Sequence, residues 1–271
     1  MTVEHYENFP VASVLLPAHL RRAVELIYSF ARQADDFADE GDAPPELRLQ
    51  RLAEFSRELD RVERGQSPGL PLFVDLAPVI AAHHLPVGLF RDLLSAFSQD
   101  VTKNRYADFG EVMDYCRRSA NPVGRLLLHL YQAAEAHNLI CSDAICSSLQ
   151  LINFLQDVEI DFRKNRIYLP QNEMAEYHVT EGQIASGANG VAWQALMKVQ
   201  VERTQNMLLA GAPLARRLPG RVGLELRMIV MGGSRILDKL RASDGDVFSH
   251  RPVLRPHDWL LMLFRSFFAY P

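Results

Sequence analysis

Residues 150–161 read QLINFLQDVEID and carry the clearest structural pattern in the chain. Their polar members recur every three or four positions, which places them in one stripe along an α-helix; they are Gln150, Asn153, Asp157 and Asp161. The positions between them are mostly large and apolar: Leu151, Ile152, Phe154, Leu155 and Val158. Apolar residues on both sides of a narrow polar stripe predict a helix that is packed on most of its circumference.

The same three- and four-residue spacing of apolar residues runs through most of the sequence. It predicts helices over residues 19–39, 46–62, 89–101, 124–136, 142–162, 191–210 and 221–240. Glycine and proline clusters separate these segments, and no stretch alternates with period two for long enough to form a sheet. The pattern therefore predicts an all-α protein, a single domain over residues 1–271 with eight to ten helices.

Composition excludes several classes of protein. Hydrophobic residues make up 48% of the 271 residues and charged residues 23%, which excludes a disordered or collagen-like chain. The net charge of −4 gives no overall attraction to nucleic acid. Three cysteines without a CxxC pair do not suggest a disulfide framework or a thiolate zinc site. No signal peptide and no apolar run of about 18 residues is evident, so we expect a cytoplasmic protein.

A second acidic segment lies near the start, where residues 34–40 read ADDFADE. Asp35 and Asp39 are four positions apart and share one helix face, whereas Asp36 is predicted to point elsewhere. Because the acidity continues beyond this segment, a solvated helix end is the alternative interpretation.

The two acidic segments together favour a metal–diphosphate site. Carboxylates on a packed helix are costly unless a cation compensates them. Two such stripes that face each other would form an oxygen-rich site of the kind that Mg²⁺ prefers, since Mg²⁺ keeps several waters and bridges to substrate phosphates. Basic side chains near the two segments could bind the diphosphate; they are Arg32, Arg163, Lys164 and Arg166.

With these motifs the chain resembles the squalene/phytoene synthase family. The resemblance rests on residues 32–39 (RQADDFAD), on residues 150–161, and on residues 165–170 (NRIYLP), and it covers nearly the whole sequence. It implies an all-α isoprenoid-synthase fold around a central cavity, in which Mg²⁺ assists the ionisation of a prenyl diphosphate.

The resemblance also implies roles for individual residues. Those implied to hold magnesium, and so to act in catalysis, are Asp35, Asp39, Asn153, Asp157 and Asp161. Those implied to contact substrate are Ser13, Tyr28, Arg32, Gln150, Arg166 and Tyr168. The group that positions a capturing water stays open among Asn153, Gln150 and Tyr115.

Within the family, three segments look most like the bacterial hydroxysqualene synthases of hopanoid biosynthesis. They are residues 5–12 (HYENFPVA), 120–124 (ANPVG) and 169–174 (LPQNEM). This resemblance implies a carbon–oxygen lyase that converts presqualene diphosphate and water to hydroxysqualene and diphosphate. It also implies functional coupling to a presqualene diphosphate synthase and to a squalene-forming oxidoreductase.

One segment departs from the family pattern. Squalene and phytoene synthases carry a tyrosine where this chain has Arg117 and Arg118, and the family tyrosine is tied to condensation. Its loss argues against the coupling of two farnesyl units and is compatible with an enzyme that starts from an already coupled substrate. Two alternatives stay open: a condensing synthase that makes presqualene diphosphate, squalene or phytoene-type products, and a non-catalytic family member. Pro122, just beyond, predicts a break in the helix.

The C-terminal segment, residues 258–268 (DWLLMLFRSFF), is apolar with one arginine. We expect a closing core helix. The alternative is shallow contact with the inner face of a membrane.

Overall fold

The computed structural model describes the backbone of residues 17–268 and the side chains of residues 17–262. The N-terminal residues on which the resemblance places Ser13 lie outside this range. Within the described backbone there are fourteen α-helices and no strand, which confirms the all-α prediction. The helices are α1 (Arg21–Asp39), α2 (Pro45–Glu63), α3 (Pro71–Ala82), α4 (Val87–Asp100), α5 (Phe109–Ser119), α6 (Asn121–Leu130), α7 (Ala136–Gln156), α8 (Val158–Arg163), α9 (Gln171–Glu176), α10 (Glu181–Ser186), α11 (Val191–Gly211), α12 (Leu214–Arg217), α13 (Gly220–Ala242) and α14 (Pro256–Phe268).

The number of helices exceeds the eight to ten predicted. Four of the fourteen, α8, α9, α10 and α12, are only four to six residues long. One or two turns are too short to show a period of 3.6 residues, so the spacing of apolar residues could not reveal them. The structure divides into two compact units, Pro17–Ser147 and the part of the chain from Ser148 onward. The prediction of one domain over residues 1–271 stays a prediction.

The first unit has an aromatic centre. Helix α1 packs against α2, α3 and α4, and α4 also packs against α2, α5 and α6. Phe30 of α1 lies in the middle, with ring centroids 5.6 Å from Phe55, 5.8 Å from Phe73 and 5.1 Å from Phe90. All four rings are buried. The contacts of Phe30 with Phe73 and Phe90 are edge-to-face. Such contacts add to the free energy gained by burying the rings, so this cluster holds α1 in place.

The helix break predicted at Pro122 is confirmed. Helix α5 ends at Ser119, and α6 begins at Asn121 with Pro122 in its first turn. A proline is tolerated there because the first amide groups of a helix have no intrahelical acceptor. The predicted helix over residues 124–136 was too long, since α6 stops at Leu130.

Helix α6 approaches α7 closely at Gly124. A methyl group at this position would collide with Ser142 Oγ and would lie 2.5 Å from Cys146 Sγ. Gly124→Ala is therefore expected to lower the free energy of unfolding by about 1–3 kcal/mol, in spite of the better helix propensity of alanine. Urea denaturation followed by circular dichroism measures the effect. Gly88→Ala in α4 is the control, because nothing lies within 4 Å of its added methyl group; an equal loss in both variants would contradict the prediction.

In the second unit α11, α12 and α14 all pack against α13, and α8 packs against α10. Asp258 of α14 is fully buried and forms ion pairs with two residues of α13. Its carboxylate accepts hydrogen bonds from Arg235 Nε at 2.6 Å, from Lys239 Nζ at 2.5 Å and from the backbone N–H of Arg255 at 2.7 Å. Two cations and a backbone donor thus compensate this buried charge.

The prediction that no stretch is long and apolar enough to cross a bilayer does not hold for α7. Its 21 residues pass that test by length and composition, and 56% of the apolar window is buried inside the protein. The core helix of a globular protein passes the same test.

Candidate functional site

The second acidic motif spans the end of α7 and the start of α8. The sequence predicted one helix over residues 142–162, but the structure interrupts it at Asp157, whose φ of −107° and ψ of 14° are not helical. Two backbone bonds nevertheless bridge the break: Asp157 N–H donates to the carbonyl of Asn153 at 2.9 Å, and Asp161 N–H to the carbonyl of Asp157 at 2.8 Å. The i to i−4 spacing is therefore retained across the interruption.

The packing of this motif follows the predicted pattern. The apolar residues predicted to pack are all buried: Leu151, Ile152, Phe154, Leu155 and Val158. Ile160, near the end of the motif, is 45% exposed. Gln150, Asp157 and Asp161 are half-buried, and Asn153 is exposed. The polar stripe is thus the accessible edge of an otherwise packed segment, where a ligand can reach it.

Asp157 has a partner that the sequence did not reveal. Arg251 donates from Nε to Oδ1 of Asp157 at 2.5 Å and from Nη2 to Oδ2 at 3.1 Å. Only 19% of the Arg251 side chain and 24% of the Asp157 side chain are exposed. Bidentate pairs of this kind combine charge with fixed geometry. The structure therefore places a cation directly on a carboxylate that was predicted to bind metal.

The backbone next to Arg251 is hydrogen-bonded to the same motif. Gln156, which is buried, donates from Nε2 to the carbonyl of Pro252 at 2.6 Å. Arg251 lies 94 residues from Asp157 in the sequence. The only local signal is the proline that follows it, which favours an extended backbone at residue 251 but does not identify the partner.

The first acidic motif lies at the end of α1 and is organised around Arg32. Its guanidinium lies 2.9 Å from Asp36 Oδ1, 2.8 Å from Glu40 Oε1 and 3.7 Å from Asp35 Oδ2. Burial opposes the charge, yet Asp36, Asp35 and Glu40 raise the pKa of Arg32. Asp36, which was predicted to point away, thus shares this cation with Asp35. Arg32 has to exchange these carboxylates for phosphate oxygens if it is to bind a diphosphate.

The other residues of this face are partly accessible. Asp35, Asp36 and Asp39 are half-buried, so the motif is not a fully solvated helix end. Tyr28, one turn before Arg32, is also half-buried.

The segment after α8 contributes an aromatic ring that stacks on a ring of α7. Tyr168 stacks on Phe154, with ring centroids 3.7 Å apart and an interplanar angle of 4°. The neighbours of Tyr168, Ile167 and Leu169, are buried and fix its position. Arg166 is half-buried, and its backbone N–H donates to the carbonyl of Asp161 at 2.8 Å. The structure thus brings Arg166 and Tyr168 beside the second acidic motif.

Two of the four basic residues proposed as diphosphate partners are exposed. Arg163 pairs with Glu159 on its own short helix at 2.5 Å, and 74% of its side chain is accessible. Lys164 is exposed as well. Exposed pairs such as Arg163–Glu159 contribute little to stability.

Arg117 and Arg118, the two residues that depart from the family pattern, both form hydrogen bonds with neighbouring side chains. Arg118 donates from Nη2 to Gln99 Oε1 at 2.6 Å and from Nη1 to Ser95 Oγ at 3.0 Å, and it also bonds to Asp114, so it ties α5 to α4. Arg117 pairs with the same Asp114 at 2.9 Å.

Tyr115, a candidate for positioning water, is buried and donates its hydroxyl proton to Asp100 Oδ2 at 2.7 Å. Its hydroxyl is thus committed to a carboxylate of its own unit.

Within the described side chains no three His, Cys, Asp or Glu residues come together as a metal cage. The two motifs nevertheless offer carboxylate and amide oxygens, which are the ligands of Mg²⁺. This ion is usually held by one or two carboxylates together with substrate phosphates. The residues of each motif by itself therefore fit a cation that is shared with a diphosphate.

Arg251→Gln tests whether the Arg251 guanidinium substitutes for a metal. Removing it leaves Asp157 unpaired, which is expected to cost about 1–2 kcal/mol and to lower Tm by about 3–6 °C. Because Mg²⁺ can then compensate the carboxylate, it should raise the Tm of the variant more than that of the unaltered chain. Thermal unfolding with and without MgCl₂ measures this. Arg163→Gln, which removes an exposed pair, should respond as the unaltered chain does; equal Mg²⁺ responses in all three proteins would contradict the prediction.

Several known proteins are similar to this chain in sequence. The model of the squalene/phytoene synthase family matches residues 2–258. A hydroxysqualene synthase of Rhodopseudomonas palustris is 35% identical over 260 residues, which cover 95% of this chain and 87% of that protein. A hydroxysqualene synthase of Zymomonas mobilis is 36% identical, covering 82% of this chain and 75% of that protein. A phytoene synthase of Arthrospira platensis is 27% identical, covering 93% and 85%.

A solved structure shares the fold. The squalene synthase HpnC of Alicyclobacillus acidocaldarius superposes with a TM-score of 0.82 at 32% identity, over 89% of this chain and 90% of that one. The expected isoprenoid-synthase fold is thereby confirmed. This chain belongs to the squalene/phytoene synthase family, whose members are enzymes of isoprenoid synthesis.

Proposed function

We propose that this protein is a hydroxysqualene synthase, which converts presqualene diphosphate and water to hydroxysqualene and diphosphate. The observation that carries the proposal is that Arg117 and Arg118 stand where condensing relatives carry a tyrosine. Both arginines form ion pairs with Asp114. With arginine at both positions, the segment lacks the tyrosine side chain that is tied to condensation. The identity of 35–36% to two hydroxysqualene synthases supports the same reaction.

The reaction breaks one carbon–oxygen bond and makes another. The bond to the diphosphate breaks, and the electron pair leaves with the diphosphate. The oxygen of water then bonds to the rearranged carbocation and releases one proton. Such a reaction needs charge stabilisation for the leaving group and an apolar surface that keeps other nucleophiles away.

Enzymes of this family use divalent metal ions, and we propose Mg²⁺ here. The residues that would hold it are Asp35, Asp39, Asn153, Asp157 and Asp161. When bound, Mg²⁺ supplies positive charge to the departing diphosphate. Arg32 and Arg166 would contact the same anion, since guanidinium groups match phosphate oxygens in geometry and charge.

The aromatic pair beside the second motif suits the carbocation. The face of an aromatic ring attracts a cation, and Phe154 and Tyr168 carry no strong nucleophile. Their parallel stacking fixes both rings. Gln150 lies on the same polar stripe and is half-buried, so its amide could hold the substrate or the capturing water.

The test is a paired incubation of the purified protein with Mg²⁺ and without NADPH, followed by mass spectrometry of the lipid extract. One sample contains presqualene diphosphate and the other contains farnesyl diphosphate. We expect hydroxysqualene from the first sample and no coupled product from the second. A coupled product from farnesyl diphosphate would instead establish a condensing synthase, the candidate favoured by the 27% identity to a phytoene synthase over 93% of the chain.

A further inference from the structure

Helix α14 presents an uninterrupted apolar run to solvent. Leu260 is 72% exposed, and its neighbours Trp259 and Leu261 are each 37% exposed. Elsewhere in the described side chains, exposed large apolar residues stand singly, as Val191 does at the start of α11. Single exposed residues need no explanation, whereas a contiguous run marks an interaction surface.

The orientation of α14 is fixed by its opposite face. Asp258 and Met262, one helical turn apart, are both buried. The bonds from Arg235 and Lys239 to Asp258 hold that face against α13. The apolar run is therefore kept outward and cannot rotate into the core without breaking a buried ion pair.

The accessible residues of the segment 250–262 include no acidic side chain, although the whole chain has a net charge of −4. Asp258 is the only acidic residue in the segment 250–262, and it is buried and paired. Arg255 and His257 are exposed at the start of the helix. The accessible part of this segment is thus apolar and cationic, which complements an anionic lipid headgroup layer.

We propose that the outer face of α14 docks on the surface of an anionic lipid bilayer. Trp259, Leu260 and Leu261 enter the boundary between headgroups and acyl chains, and Arg255 contacts lipid phosphates. The proposal concerns a surface and does not depend on the reaction proposed above.

The experiment is co-sedimentation of the full chain with vesicles of phosphatidylcholine containing phosphatidylglycerol, compared with vesicles of phosphatidylcholine alone. We expect binding to the anionic vesicles. Leu260→Glu should weaken it at least about tenfold, because it places a charge in the apolar face. Arg255→Gln should weaken it about fivefold, as loss of one basic residue near an anionic surface does.

Val191→Glu is the matched control, because it makes the same chemical change at an exposed apolar residue of another helix. It should bind as the unaltered chain does. Equal binding of the Leu260→Glu and Val191→Glu variants would overturn the proposal. Absence of binding to the anionic vesicles would also overturn it, and a dimer in gel filtration that Leu260→Glu dissociates would then identify a second copy of the chain as the occupant.

Discussion

Asp157→Asn is expected to lower turnover at least about 1,000-fold. The amide keeps the size of the carboxylate but removes the charge that a divalent cation requires. The structure gives a second reason, because Arg251 then faces a neutral amide within a mostly buried contact. Rates with presqualene diphosphate and Mg²⁺, set beside circular dichroism spectra, separate a loss of chemistry from a loss of structure.

Glu159→Gln is the matched control for this experiment. It removes the same charge two residues away, from a carboxylate that pairs with the exposed Arg163. We expect its rate to stay within about threefold of the unaltered chain, since exposed pairs contribute little. If the Asp157 variant kept more than a tenth of the activity, or if both variants lost activity equally, the assignment of Asp157 to the metal would be wrong.

The long helices were largely predictable from the sequence, because one apolar face recurs along each of them. Residues 191–210 and 221–240 were predicted as helices, and the structure places α11 at Val191–Gly211 and α13 at Gly220–Ala242. Helix α3 was missed: it has apolar residues around most of its circumference and contains Pro78, so neither its periodicity nor its composition indicated a helix.

The candidate site was predictable only where it is local in sequence. The stripe from Gln150 to Asp161 follows from helical spacing alone, and its apolar flanks are buried as predicted. The partner of Asp157 was not predictable, because Arg251 reaches it through tertiary packing from a loop 94 residues away. The break at Asp157 was also missed, since the spacing of polar residues is the same in one helix and in two helices whose hydrogen bonds continue across the junction.

The position of Arg32 shows a further limit of spacing arguments. Asp36 was predicted to point away from the face of Asp35 and Asp39, but it lies one helical turn after Arg32, and the structure pairs the two side chains. Spacing does not, however, rank the carboxylates that compete for one guanidinium. Arg32 contacts Asp35, Asp36 and Glu40 together, and a diphosphate has to displace them. The ion pairs of Arg32 and Arg251 both place a cation on carboxylates of the acidic motifs.

Asp258→Ala is expected to lower the free energy of unfolding by about 3 kcal/mol at pH 7, because it removes a buried carboxylate from two cations and a backbone donor. Burial by itself would raise the pKa of Asp258, but Lys239, the backbone N–H of Arg255 and Arg235 lower it well below its usual value. A carboxyl with a lowered pKa in the folded state stabilises the protein above its unfolded pKa of about 4.

That contribution is lost as the pH falls through the pKa of the folded state, so the difference between the two proteins should be full at pH 7 and should shrink below about pH 4. Urea denaturation at pH 7 and at pH 3.5 measures both values. Asp238→Ala on α13, the helix that carries Arg235 and Lys239, removes an exposed pair with Arg241 and should cost less than about 0.5 kcal/mol at either pH. A loss for Asp258→Ala that grew as the pH fell would mean that the carboxyl is protonated in the folded protein, and that its two cations do not hold α14 in place.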